Sequence, residues 1–389
     1  MRDRSSDDRH VGEVIHTGDD AANGLRVLQI GSYIFSLEKD LDLPVFSDEN
    51  TSDVPIIPAL SPRPDAVPFP DAPRILVVGA GAVGGFFGAL FCKAGFDVTF
   101  LLRPATHAHI EGNGLTIVSV DPALGRFTVH PRCVQAATDA GQADIILLAV
   151  KCYDLTAALS AIAPQVLGDR DVSILPLQNG VGGEERIASY FTQNARVGGM
   201  SGVIGGVAYI TSRLAAPGVV EHFRRGIIAV GALSDRQDAR VAWIQKIFSQ
   251  ANIECRVSRN IRKTQWEKLC WNATFNPFSV ILDCPISFVL DSPQWLEVVR
   301  RGIKEVIDVA AAEGVPLDAD ISEQTIRSSE TFRDFHTSMY EDIHNGRPTE
   351  IDALNGDLIR RGKRHGIPTP THDRFYAEVT ALDAKRRTA

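Results

Sequence analysis

No apolar run in the 389-residue chain approaches the length of a membrane-spanning helix. Nor is there a C-x-x-C pair. Cys92, Cys133, Cys152, Cys255, Cys270 and Cys284 are scattered, which excludes a zinc ribbon or a disulfide framework and predicts no metal site. Such thiols read as reduced packing residues and fit a cytoplasmic setting. Positive charge is not in excess. Forty Lys and Arg against 48 Asp and Glu leave a net charge of −8, which argues against a nucleic-acid partner. The N-terminus has no apolar core for a secretory signal and is too acidic for a transit peptide. What remains, 44% hydrophobic and 23% charged, is the composition of a globular protein, long enough for two domains.

Residues 1–73 stand apart. They are polar and carry most of the net negative charge, so the rest of the chain is near neutral. Prolines recur at Pro55, Pro58, Pro62, Pro64, Pro68 and Pro70, as in a semi-rigid linker. An apolar island at 25–37 has the composition of a strand. The extension as a whole is expected to be largely disordered, and no chemistry is assigned to it.

The stretch around which the rest is organised is 74–103. Arg74, Ile75, Leu76, Val77 and Val78 make a short β-branched run, the pattern of a strand buried on both faces. Gly79-Ala80-Gly81-Ala82-Val83-Gly84 follows at G-x-G-x-x-G spacing. The first glycine suits a tight turn, the second close approach of a pyrophosphate, and the third helix–strand packing. Residues 84–94 read as a helix whose N-terminal amides face the phosphates, and 97–102 as a second strand. That strand ends Leu101-Leu102-Arg103, without the acid that holds a ribose 2′-hydroxyl in NAD sites. Arg103 suits a 2′-phosphate, so the cofactor expected is NADP(H). A solvated arginine is the plainer alternative.

Further along, 115–120 and 126–130 alternate as short strands, and 144–150 is a buried strand ending at Lys151. Residues 173–177 form another, ending in Gln178-Asn179-Gly180-Val181-Gly182. Ligands of open parallel sheets bind beyond such carboxyl ends, which makes Lys151 and Asn179 cofactor or substrate candidates. A surface lysine and a simple turn are the alternatives. Residues 218–231 are expected to fold as a hairpin, 238–250 as a helix and 253–257 as a closing strand. The expected domains are therefore a dinucleotide-binding domain at 74–257 and a mostly helical domain at 258–389.

The first helix of that second domain carries Lys268, Asn272 and Asn276 at four-residue spacing, along one face and among Trp, Leu and Phe. A lysine in such surroundings is easily desolvated and suits acid–base chemistry, whereas a solvated stripe needs no function. A last polar cluster runs from Ser338 to Gly356. There Gly346 and Pro348 mark a break, 349–361 is expected to resume as helix, and Glu350 and Asp352 lie at its start.

Taken together, these motifs resemble the ketopantoate reductase (2-dehydropantoate 2-reductase) family over about 74–380. The resemblance rests on Gly79, Gly81 and Gly84; on Val150-Lys151; on the segment Gln178 to Gly182; and on Trp266-Glu267-Lys268-Leu269 with Asn272 and Asn276-Pro277. Thr349-Glu350-Ile351-Asp352 with Asn355-Gly356, and the closing Gly366-Ile367-Pro368-Thr369-Pro370, complete it. It implies an N-terminal Rossmann-type domain, a helical C-terminal domain of the 6-phosphogluconate dehydrogenase kind, and a site between them. Lys268 is then the proton donor to a keto oxygen as NADPH delivers hydride, and Glu350 positions the lysine or binds a substrate hydroxyl. Asn179, Asn272, Asn276 and Ser338 bind substrate; residues 79–84, Arg103, Lys151 and Asn179 bind the cofactor. The implied assembly is compatible with a homodimer. Two positions depart from well-studied members, Ile286 after Cys284-Pro285 and Phe335 three residues before Ser338; both make a pocket less polar. Alongside ketopantoate, they leave open another branched 2-keto acid such as 2-ketoisovalerate. An idle NADP-binding protein is the reading from another class.

Overall fold

The computed structural model describes residues 14–20, 25–30, 33–38, 69–166, 172–194, 202–234 and 237–388. The chain divides into two compact units, Met1–Ile56 and Ile57–Ala389. In the first, β1 (Val14–Asp20), β2 (Leu25–Ile30) and β3 (Tyr33–Glu38) form an antiparallel sheet in the order β1-β2-β3. The apolar island at 25–37 pairs as strands β2 and β3, one of the outcomes its composition allows, and β1 lies within the extension otherwise expected to be largely disordered. Most of the proline-rich stretch lies outside the described residues.

The second unit opens with β4 (Arg74–Val78), the central strand of a parallel sheet. Ile75 and Val77 enter one apolar cluster and Leu76 and Val78 another, so the strand is buried on both faces. The helix α1 (Ala82–Lys93) leads to β5 (Asp97–Leu101) and α2 (Pro104–Asn113). Next come β6 (Leu115–Ser119), β7 (Arg126–Val129), β8 (Arg132–Val134) and β9 (Ile145–Leu148). After α3 (Leu155–Val166), β10 (Ser173–Pro176) completes the parallel sheet in the order β10-β9-β4-β5-β8. The order reverses direction at β4, with β5 on one side and β9 on the other. Ligands bind at such a switch point.

Past α4 (Gly183–Asn194), β11 (Gly205–Ala216) and β12 (Val219–Gly231) pair with β6 and β7 in a second sheet. The hairpin expected within 218–231 is instead one continuous strand. Its partner is β11, and Pro217-Gly218 makes the turn. Gly226, φ +117°, is a bulge facing Tyr209–Ile210, where the register shifts. The glycine that reads as a turn in sequence is thus a bulge inside a strand. Then α5 (Asp238–Gln250) precedes β13 (Glu254–Val257), which runs parallel to β12.

From there on the chain is helical. The 21-residue α6 (Ile261–Ile281) starts at Asn260, whose side chain accepts the Lys263 amide at 3.0 Å. It is followed by α7 (Ile286–Leu290), α8 (Pro293–Ala312), α9 (Ile321–Ser329) and α10 (Ser338–His344). The expected helix at 349–361 begins instead with a π-helical turn at Asp352–Gly356 and becomes α11 (Asp357–His365); α12 (Pro370–Thr388) ends the fold. α6 runs through the helical part, against α8, α10 and α12. No helix among the described residues is long and apolar enough to cross a membrane.

Candidate active site

Three segments leave the carboxyl ends of β4, β9 and β10 at the switch point, and each carries a residue the sequence singles out. After β4, Gly79 adopts φ +97°, a conformation that favours glycine. A Cβ on Gly84 would collide with the Gly79 carbonyl and come within 2.9 Å of the Ala149 Cβ, so helix and turn touch through backbone alone. Gly81 differs: a Cβ there would meet nothing within 4 Å. Open space over Gly81, at the start of α1 and with no acid in the helix's first turn, fits a dinucleotide pyrophosphate. Residues 79–84 would hold it.

Arg103 follows β5 where the sequence places it and is largely exposed. Its guanidinium lies 2.5 Å from the Asp154 carboxylate. An exposed pair of this kind is weak and leaves the arginine free to exchange partners.

Lys268 projects from α6 into a pocket that it shares with Gln178, Asn179, Gly206 and Asn272. Its ammonium donates to Asn179 Oδ1 at 2.8 Å and to the Ala208 carbonyl of β11 at 2.6 Å. The Tyr209 ring lies 5.7 Å away. Both hydrogen-bond partners are neutral. Burial therefore dominates and lowers the lysine pKa to about 8, opposed by the charge of Glu350. Asn272 Nδ2 also approaches Asn179 Oδ1, at 3.4 Å. Lys268 and Asn272 thus reach the same Asn179 oxygen from one face of α6.

Asn276 lies one turn further along α6, buried, and its Oδ1 has no partner among the described residues. Buried carbonyl oxygens are rarely left so, and this one is available to a ligand. At the same end, Ser279 Oγ accepts the Thr337 amide at 3.4 Å. That contact brings the start of α10, with the exposed Ser338, to the stripe. Gln178 belongs to the motif but was given no role in the sequence. Both polar atoms of its side chain are buried beside Asn179 and have no partner among the described residues.

Glu350 departs from the expected arrangement. Its carboxylate accepts the Cys152 amide at 2.9 Å and lies 3.4 Å from the Lys151 ammonium; it makes no direct hydrogen bond to Lys268. Burial opposes its charge, but Lys151 and the Cys152 amide outweigh burial and hold its pKa below the usual value. The Asp352–Gly356 turn fixes its place. Asn355 Nδ2 donates to the Ala273 carbonyl of α6 at 2.8 Å and to His372 Nδ1 at 2.9 Å, while His372 Nε2 donates to the Gly302 carbonyl at 2.8 Å. Burial lowers the His372 pKa to about 4, so the ring is neutral and serves as scaffold. Gly180, φ +98°, packs on the same turn, where a Cβ would sit 3.1 Å from the Ala353 carbonyl.

Asp342 is the other residue missed in the sequence. Buried on α10, it lies 2.5 Å from Lys151 and 3.1 Å from Arg347. The signal for it was its i+4 spacing from Ser338, which places both on one helical face. Lys151, read as a cofactor-side residue, is thus gripped by two carboxylates.

A dinucleotide cradle at the switch point, beside a pocket holding an ammonium with a depressed pKa, defines a dinucleotide-dependent oxidoreductase. Comparison with known proteins agrees. The family model described as "Ketopantoate reductase PanE/ApbA" matches residues 75–235, and "Ketopantoate reductase PanE/ApbA C terminal" matches 260–383. The 2-dehydropantoate 2-reductase of Pyrococcus horikoshii is 30% identical over 311 residues, covering 80% of this chain and 98% of the relative. A solved 2-dehydropantoate 2-reductase from Geobacter metallireducens is 32% identical with a TM-score of 0.72, covering 79% and 99% of the two chains. A D-mandelate dehydrogenase solved with NADH and anilino(oxo)acetate is 28% identical with a TM-score of 0.73, covering 80% and 99%. The chain belongs to the ketopantoate reductase family, oxidoreductases that use a nicotinamide dinucleotide.

Proposed function

We propose that this protein reduces 2-dehydropantoate (ketopantoate) to (R)-pantoate with NADPH, the reaction that serves pantothenate synthesis in the cytoplasm. One observation carries the reading: the Lys268 ammonium, held by neutral partners, opens onto the pocket beside Asn179 and Asn272. When bound, the reduced nicotinamide supplies hydride to the keto carbon. Lys268 stabilises the charge that develops on the keto oxygen and passes its proton there. Asn179 fixes the ammonium, and Asn272, Asn276 and Ser338 bind the remaining polar groups of the substrate. Glu350 keeps Lys268 charged by acting through space.

The pH dependence follows in sign. Reduction needs the ammonium, so kcat/KM for reduction stays level below the lysine pKa and falls as the pH rises through about 8. Alcohol oxidation needs the free amine and rises over the same range. Initial rates in both directions from pH 6 to 10 (roughly, a span that brackets a lysine shifted by burial) test this. A reduction rate that climbs through the range would remove Lys268 as the acid.

Arg103 bears on the cofactor. Arg103→Ala is expected to raise the Kd for NADPH about tenfold, the worth of one charge-assisted hydrogen bond, with little change for NADH. Titration by nicotinamide fluorescence distinguishes the two. Equal losses for both would show that Arg103 does not hold a 2′-phosphate.

A second reading has its own observation. Ile286 is buried, and its amide donates to the Phe335 carbonyl at 3.2 Å, so the two departing positions adjoin. The Phe335 ring lies 5.9 Å from Phe223 of β12. This apolar group favours a 2-keto acid without a distal hydroxyl, such as 2-ketoisovalerate. Paired kcat/KM values for the two acids decide between the readings.

A further inference from the structure

Beside the Lys268 pocket lies a charged cluster of which the proposed chemistry uses only Glu350. Lys151, immediately beyond β9, bridges two carboxylates of the helical part, Asp342 Oδ2 at 2.5 Å and Glu350 Oε2 at 3.4 Å. Both acids are buried, and Arg347 closes the far side of Asp342 at 3.1 Å. Charge-assisted contacts strengthen steeply as they shorten. The ammonium bonds Asp342 at the shorter range, yet burial still holds the Asp342 pKa above its ordinary value, while Glu350 stays charged because Lys151 and the Cys152 amide outweigh its burial.

The groups that act on Lys268 come from four directions. Glu350 approaches from the segment before the π-helical turn. Cys152 approaches from beyond β9, but burial pushes its thiol pKa well above the ordinary value and leaves it uncharged. From β11 come the Tyr209 ring face and the neutral Ala208 carbonyl. On α6 itself, Glu267 is turned to Lys263, 3.9 Å away. Glu350 is thus the anion that supports the Lys268 charge.

We infer that Asp342 is a positioning residue for the reaction: it draws Lys151 to itself and so leaves the Glu350 carboxylate available to Lys268. The inference rests on the reading of Lys268 as proton donor. Without Asp342, the Lys151 ammonium closes on Glu350, its remaining partner in the cluster, and Lys268 loses electrostatic support. Without Lys151, Glu350 acts on Lys268 in full. The two substitutions therefore move the Lys268 titration in opposite directions.

Four full-length chains test this: wild type, Asp342→Asn, Lys151→Met and the double variant. Two readouts are needed, the basic limb of kcat/KM for ketopantoate reduction and the titration of Lys268 itself. The latter comes from NMR of ¹³Cε-lysine-labelled protein without cofactor, the resonance being assigned by its loss in Lys268→Arg. Asp342→Asn is expected to lower the Lys268 midpoint by about half a unit or more, and Lys151→Met to raise it by a similar amount. In the double variant the drop should largely disappear, because Asp342 acts through Lys151. An unchanged midpoint in Asp342→Asn, or an equal drop with and without Lys151, overturns the inference. Should Asp342→Asn fail to fold, the rise in Lys151→Met carries the test alone, and its absence is equally fatal. The NMR titration needs no substrate, so the two ideas fail separately. A wild-type chain that turns over no 2-keto acid but shows these shifts defeats the proposed reaction and leaves the coupling standing. An active reductase with unshifted midpoints does the reverse.

Discussion

Replacing Lys268 with alanine is expected to reduce kcat for 2-keto acid reduction by about 10²–10⁴, the usual contribution of a positioned general acid. The loss should appear in kcat and not in the affinity for NADPH. Lys268 lies on α6, held by Asn179 and the Ala208 carbonyl, whereas the cofactor phosphates are assigned to the glycine turn before α1. Lys268→Arg should fail nearly as badly. Its guanidinium retains the charge but does not release a proton in this pH range, and its planar fork does not fit a site built for a point donor. Steady-state kinetics with a parallel NADPH titration separates the two effects. Near-normal turnover in Lys268→Ala would assign the proton to another group.

The second large effect concerns two glycines three residues apart. Gly84→Ala places a methyl group against the Gly79 carbonyl and the Ala149 side chain, with no flexible atom to yield. The turn must open, at a cost of about 1–3 kcal/mol as for other overpacked sites, and dinucleotide binding should be lost with it. Gly81→Ala meets no protein atom within 4 Å, and the backbone there, φ −75°, is open to any L-residue. Its thermal midpoint should match the wild type while NADPH binding weakens by at least about tenfold, because the methyl enters the space assigned to the pyrophosphate. Denaturation and cofactor titration of both variants check the contrast. If Gly81→Ala binds NADPH normally, the phosphates are not where the cradle places them.

Much of the scaffold was legible because its signals are local. A β-branched run buried on both faces, followed by glycines at fixed spacing, needs no knowledge of distant residues, and β4, α1 and β5 form where expected. The α6 stripe was readable for the same reason, since four-residue spacing puts Lys268, Asn272 and Asn276 on one face in any helix. What failed depended on partners far along the chain. Gly226 reads as a turn in isolation and becomes a bulge only because β11 lies beside it. Glu350 was expected to position Lys268 or to bind a substrate hydroxyl; its 3.4 Å contact to Lys151, 199 residues away, had no signal in the sequence. The Ala208 carbonyl was invisible for a related reason, since a backbone carbonyl has no sequence identity at all. Asp342 offered only its spacing from Ser338 on a short helix, and its partner Lys151 is 191 residues away.

The measurement closest to the central claim is NADPH consumption, followed by nicotinamide absorbance, with ketopantoate and 2-ketoisovalerate in parallel, for the wild type and Lys268→Ala. The account predicts consumption that requires a 2-keto acid, declines as the pH rises through about 8, and nearly vanishes in the variant. Ketopantoate should be the better substrate. Turnover that persists without Lys268, or a wild-type chain that consumes NADPH with neither acid, would contradict it.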